Sequence, residues 1–392
     1  MNQSPGHAAS MLDLPSPDSN AQAVSTELSN RIKLAISDQG GSIGFDRFMH
    51  MALYSPGLGY YSAGSTKFGA SGDFVTAPEV SELFGYCIAN QISDLQAQGC
   101  EPSVFEFGAG SGKLCEQILN RISLQRYLIL EPSAELCQRQ QDYLRASLSP
   151  EQFRQIEWLD TLPDSFSGVV LANEVLDAMP VHLVVKQQQW YQRGICIQDD
   201  QLGWCDLAAE EAVIGALDKL ESGLGDFATG YQTEINLNLA PWFNALAACC
   251  DRVAVFIIDY GYEQAEYYSQ SRTGGTLVCH YQHRAHFDPL WYPGLQDITA
   301  FVDFDAAADA AIDSGFEAIG LVSQNRFLLG NGLLEAASQR MLSSDAREAM
   351  MLSQQLKTLS LPQEMGEKFK VMALKKNIEL EMPAMSRSVI YG

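Results

Sequence analysis

Residues 103–114 read SVFEFGAGSGKL, and the fold is decided there. An apolar strand beginning at Val104 runs into Gly108, Gly110 and Gly112, and Lys113 opens a helix. Glycines at such a turn let the backbone approach a ligand closely and leave the helix N-terminus free for polar contacts. Their spacing separates two kinds of nucleotide site. A dinucleotide fingerprint, G-x-G-x-x-G, needs glycine at position 113, where this chain has Lys113. Glu106-x-Gly108-x-Gly110-x-Gly112 instead matches the acidic-x-G-x-G-x-G pattern of S-adenosylmethionine (SAM) methyltransferases. Glu106, at the strand end, is then placed to meet the methionine amino group, directly or through water.

The same grammar continues outward. RYLILEPSAELCQRQQDYL (126–144) predicts a strand over 127–131 and a helix after it. Glu131 closes that strand 19 residues beyond Gly112, where a carboxylate can accept both ribose hydroxyls. Further strands are expected at 155–158 and 168–172. Strands alternating with helices imply a parallel sheet covered on both faces, an α/β Rossmann-like core. Ligands of such sheets bind at the carboxyl ends of the strands. Asn173 and Glu174 therefore face the transferred methyl, with Asp177 close behind. Asn173 is expected to position the acceptor, and Glu174 and Asp177 to hold a guanidinium by paired charge-assisted hydrogen bonds. The structural alternatives are a plain turn at Glu174 and a helix cap at Asp177.

Around this core the chain divides as follows. Residues 1–24, rich in Ser, Pro, Asn and Ala, read as a disordered leader. Residues 25–100 read as an N-terminal helical and lid region, with helices at 25–37 and 44–53 and another from Pro78 to about 97. In the stretch GDFVTAPEVSELFG (72–85), Asp73, Thr76, Glu79 and Ser81 can reach the cofactor or the acceptor, although Thr76-Ala-Pro-Glu79 also reads as a capping box. The first half of the core covers 101–182. An inserted side region follows at 183–251, opening as a β-meander. The second half, 252–330, begins with the buried strand RVAVFIIDYGY, in which Asp259-Tyr260-Gly261 lines the acceptor cleft or simply turns the strand. Residues 331–392 read as a helical tail.

Composition narrows the partners. The 392 residues carry a net charge of −23, which disfavours phosphate backbones and anionic lipid and favours a basic protein partner or merely solubility. Nine scattered cysteines without a C-x-x-C fit reduced thiols in the cytoplasm. No apolar run is long enough to span a bilayer, and the N-terminus resembles neither a secretory signal nor a transit peptide. His280, His283 and His286 form H-x-x-H-x-x-H beside Cys279. A strand leaving into a loop is a poor zinc scaffold at that spacing, so no metal is expected.

Several ordered stretches carry a family resemblance. They are FMHMALYSPGLGYYS (48–62), FGASGDFVTAPEVSELFG (68–85), EFGAGSGKL (106–114), LEPSAELCQRQ (130–140) and NEVLDAMPVH (173–182). FIIDYGY (256–262), RTGGTLVCHYQH (272–283), PGLQDITAFVDF (293–304) and LPQEMGEKFKVM (361–372) continue the series. The chain resembles the MidA-like proteins, which include the mitochondrial complex I assembly-factor protein arginine methyltransferases. The resemblance implies a class I methyltransferase fold, SAM as cofactor, and symmetric dimethylation of an arginine in a partner protein such as a respiratory complex subunit. The competing readings are a SAM methyltransferase of a small molecule or another side chain, and a SAM-binding assembly chaperone without catalysis. An NAD-dependent oxidoreductase is disfavoured by Lys113.

Overall fold

The computed structural model describes residues 14–62 and 76–386. These residues form two compact units. The larger comprises 76–177, 239–264 and 302–386, and the smaller 14–62, 178–238 and 265–301.

The larger unit is built on a seven-strand path. In spatial order the strands are Glu317–Ser323, Phe369–Lys376, Cys250–Tyr262, Phe166–Asn173, Ser103–Phe107, Arg126–Leu130 and Ile156–Leu159. All run parallel except Phe369–Lys376, which is antiparallel to both its neighbours. Helices cover both faces, as a mostly parallel sheet requires: its central strands are buried on both sides and read as continuous apolar runs. Val169 to Ala172 illustrate this, each at most 1% exposed. The chain order reverses between Ser103–Phe107 and Phe166–Asn173, which marks a topological switch point at their carboxyl ends.

The smaller unit holds a five-stranded antiparallel sheet, with Trp190–Gln198 pairing Ser42–Gly44, His182–Lys186 and Gln201–Ala208, and Gln232–Ile235 on His182–Lys186. The helices Ser19–Asp38 and Phe45–Tyr54 share its apolar core, where Leu28, Ile32, Phe45, Phe48 and Ile195 are all buried. A three-stranded sheet of Arg284–His286, Val278–Tyr281 and Asp297–Thr299 completes it.

Several expected boundaries move. The first helix begins at Ser19, not 25, because Asp18 caps it through the Asn20 and Ala21 N–H groups, so 19–24 are helical rather than part of a leader. Residues 1–13 lie outside the described residues. The helix from Pro78 is two helices, Ala77–Val80 and Glu82–Ala97, separated by Ser81 in extended conformation (φ −160°). The N-terminal region is not one piece: 14–62 belong to the smaller unit and 76–100 to the larger. The meander expected after 183 is present, but the inserted region ends at 238, and Leu239–Cys249 and the strand from Cys250 return to the larger unit. Conversely, 265–301, expected in the core, belong to the smaller unit. The tail is α-helical only as far as Lys368, with a single 3-10 turn at Pro383–Met385 beyond it. Phe369–Lys376 is an inner strand of the sheet, a short apolar run whose periodicity does not separate strand from helix.

Candidate active site

The glycine loop sits at the switch point. Gly108, Gly110 and Gly112 all have positive φ (58°, 53° and 86°), so a side chain at any of them would be strained. A Cβ on Gly108 would meet only Val175, at 4.0 Å, which leaves its outer face open. Gly112 precedes the helix Lys113–Leu119 and is backed by Leu144, 3.3 Å from where a Cβ would stand.

Two carboxylates flank the loop. Glu106 is 2% exposed and accepts the Tyr127 hydroxyl proton at 2.8 Å. Burial pushes its carboxyl up to about 7; the Tyr127 hydrogen bond opposes this and the nearby Glu131 charge adds to it. Glu131 Oε1 accepts from Ser133 N at 3.0 Å, and Oε2 from Gln140 Nε2 at 3.0 Å. Burial raises its carboxyl as well, against those two donors.

The third cluster closes the strand Phe166–Asn173. Glu174 adopts a left-handed backbone (φ 55°), which is costly for a residue with a Cβ and is seen where surrounding groups enforce it. The enforcing group is Asp259. It is fully buried, and Oδ2 accepts from the backbone N–H groups of Val175, Leu176 and Asp177 at 3.2, 2.9 and 3.2 Å. Burial, then the Glu174 charge, push the Asp259 carboxyl up to about 8 against the pull of those donors. Asn173 Nδ2 donates to Glu174 Oε1 at 3.2 Å, whereas Asn173 Oδ1 is buried without a donor. No helix begins at Asp177, so the helix-cap alternative does not apply there.

Thr76 precedes the helix Ala77–Val80 but makes no side-chain cap bond, so the expected capping box is not formed. Glu79 turns instead to the glycine loop, accepting from Ser111 Oγ and pairing with Lys113 Nζ at 3.2 Å. Gln117 fastens the same segment, donating to Pro78 O at 2.8 Å and accepting from Gly85 N at 3.1 Å. Asp73 lies outside the described residues. His280 and His286 stand on two paired strands joined through Gln282 and His283, both with positive φ. Among the described residues no group of three or more His, Cys, Asp or Glu is arranged to hold a metal.

Sequence reasoning brought together Glu106, the glycines and Glu131 around one loop, and Asn173, Glu174 and Asp177 at one strand end. It passed over Tyr127, Gln140 and Trp158, whose polar atoms serve the first group from positions that read as core or helix surface. It read Asp259 as lining the acceptor cleft or ending the strand, not as the group that holds the Glu174 turn; its three N–H partners are more than 80 residues away and leave no local signal.

This arrangement suits SAM: Glu106 is a buried acid able to face an ammonium, Glu131 is a carboxylate held one strand away, and the loop between them has an open glycine face. Similar proteins agree. A crystal structure of a COG1565 superfamily member from Burkholderia thailandensis bound to S-adenosyl-homocysteine is 41% identical and superposes with a TM-score of 0.90, covering 95% of this chain and 98% of that one. A native structure of a COG1565 superfamily protein from the same organism is 40% identical, with a TM-score of 0.87. The protein arginine methyltransferase NDUFAF7 of Danio rerio, a mitochondrial protein, is 24% identical across 89% of this chain and 87% of its own length. Its Caenorhabditis elegans homologue is 26% identical across 89% and 87%. A model of S-adenosyl-L-methionine-dependent methyltransferases matches residues 84–322. The chain belongs to that methyltransferase family, MidA-like in kind, and S-adenosyl-L-methionine is its cofactor.

Proposed function

We propose that this methyltransferase modifies an arginine side chain of a partner protein. One observation carries the reading: the groups gathered at the end of Phe166–Asn173 are acceptors. Glu174 and Asp177 stand on one turn, the buried Asp259 carboxyl holds that turn from within through its N–H groups, and Asn173 Oδ1 is buried there without a donor. Such a cluster is stabilised by a ligand that supplies positive charge and several N–H groups in a plane, and guanidinium supplies five. The named activity of the relatives, at about a quarter identity, supports the same reading. So does the net charge of −23, which attracts a basic partner. The nine free thiols support a reducing, cytoplasmic setting.

When bound, SAM supplies a methyl group already activated on a sulfonium, so the protein's task is positioning and charge placement. In this reading Glu106 faces the methionine amino group, Glu131 the ribose hydroxyls, and the Gly108–Gly112 loop lies along the cofactor. Glu174 and Asp177 grip the guanidinium and Asn173 Oδ1 accepts one of its N–H groups. Guanidinium is a weak nucleophile because its lone pairs are delocalised. Carboxylates that draw the positive charge toward one nitrogen leave another better able to attack. A carboxylate is a weak base at neutral pH, so the proton leaves after the methyl has transferred.

The test is incubation with methyl-labelled SAM and a lysate, followed by acid hydrolysis of the labelled protein. Label in symmetric dimethylarginine is expected, and respiratory complex subunits are the first candidates for the labelled bands. Label confined to other side chains or to small molecules would refute the arginine assignment.

A further inference from the structure

Gln140 joins the connections after two successive strands of the core sheet to the next strand along. It lies in the helix Ala134–Ser147 and is fully buried. Its Nε2 donates to Gly110 O at 3.0 Å and to Glu131 Oε2 at 3.0 Å. Its Oε1 accepts from Trp158 Nε1 at 3.0 Å, on the strand Ile156–Leu159. The amide can sit only one way round. Reversed, its oxygen would face two acceptors and its NH2 group an indole N–H.

One side chain thus holds the peptide carbonyl of the glycine loop and the carboxylate at the end of the next strand. Glu131 Oε1 is fixed separately by Ser133 N, so both oxygens of that carboxylate have a set direction. Gly110, at φ 53°, has its peptide orientation set from behind by the same amide.

We propose that Gln140 is a positioning residue for the adenosine half of the cofactor, aiming the Glu131 carboxylate at the ribose hydroxyls and locking the Gly110 peptide beside it. The proposal rests on the assignment of Glu131 to the ribose. It differs from a purely architectural role for a buried amide, which would affect stability but not the choice between ribose and deoxyribose.

The experiment is calorimetric titration of the full chain with S-adenosylhomocysteine and with its 2′-deoxy analogue. The proteins are wild type, Gln140→Leu, Glu131→Gln, the double variant and Trp158→Phe. Wild type should prefer the ribose ligand by about 30-fold or more, since the analogue lacks a hydroxyl that donates a charge-assisted hydrogen bond to the buried carboxylate. Gln140→Leu should weaken S-adenosylhomocysteine binding by about 10- to 100-fold and reduce the preference to about 3-fold or less. The double variant should bind no more weakly than the weaker single variant, because the two residues act as one unit. Trp158→Phe removes only the N–H that orients the amide; it should shift both quantities the same way by a smaller factor, and it stands in should Gln140→Leu fail to fold. Unchanged affinity and preference in Gln140→Leu, or in Trp158→Phe where it stands in, would overturn the proposal, as would losses that simply add in the double variant. An undiminished ribose preference in Glu131→Gln would overturn the Glu131 assignment and the clamp with it, whereas a loss confined to Glu131→Gln would overturn only the role of Gln140.

Discussion

Glu106 is an acid placed where water does not reach, with the Tyr127 hydroxyl as donor. Burial raises its carboxyl to about 7, so near neutral pH the free protein holds it partly protonated. The folded value lies above the ordinary one of 4.5. This group therefore costs stability progressively as pH rises from about 4.5 toward 7, and fully above that. A bound ammonium favours the ionised form and reverses the preference. S-adenosylhomocysteine affinity should then fall by about 10-fold in all as pH drops from 8 to 6, about 5-fold of it across the last unit, and Glu106→Gln should flatten that profile. Titration calorimetry across this range checks it, and a flat wild-type profile would contradict it. Sequence made this residue legible because strand, acid and glycines lie within the ten positions 103–112. Asp259 was far less legible. Its grip on the Glu174 turn exists only once two strands distant in sequence are paired, and the left-handed backbone of Glu174 is a consequence of that grip.

Among the elements, the strands that carry the site were legible because each is followed by its own helix and bears a polar group at its carboxyl end. Phe369–Lys376 was not legible. It follows a helical stretch, has no crossover, and owes its state to pairing with Cys250–Tyr262 on one side and Glu317–Ser323 on the other. Gly168 marks a second element-scale demand. Its φ is 138°, and a Cβ there would lie 2.2 Å from the Ser103 carbonyl oxygen on the neighbouring strand. Backbone cannot yield as a flexible side chain can. Gly168→Ala should therefore destabilise the protein by about 2–4 kcal/mol, combining a strained dihedral with overpacking. Denaturant unfolding of the variant measures this, and a loss below about 0.5 kcal/mol would show that the two strands separate without strain.

At the scale of the whole molecule, chain order and unit membership do not coincide. The chain alternates between the two units five times, each time inside a stretch that reads locally as continuous. Boundaries drawn from composition therefore failed where sequence motifs succeeded: a motif is local, while a unit is defined by contacts between distant segments. In the proposed reading function belongs to this scale too, because a strongly acidic protein would recognise the methyl acceptor and deliver it to the turn at Glu174. The most direct test of that claim is to compare wild type with Glu174→Gln for methyl transfer into lysate proteins and, in parallel, for S-adenosylhomocysteine binding. Transfer should fall by about 100-fold or more while cofactor affinity stays within about 3-fold, as expected for a group that acts on the acceptor alone. Near-normal labelling by Glu174→Gln, or an equal loss of cofactor binding, would contradict it.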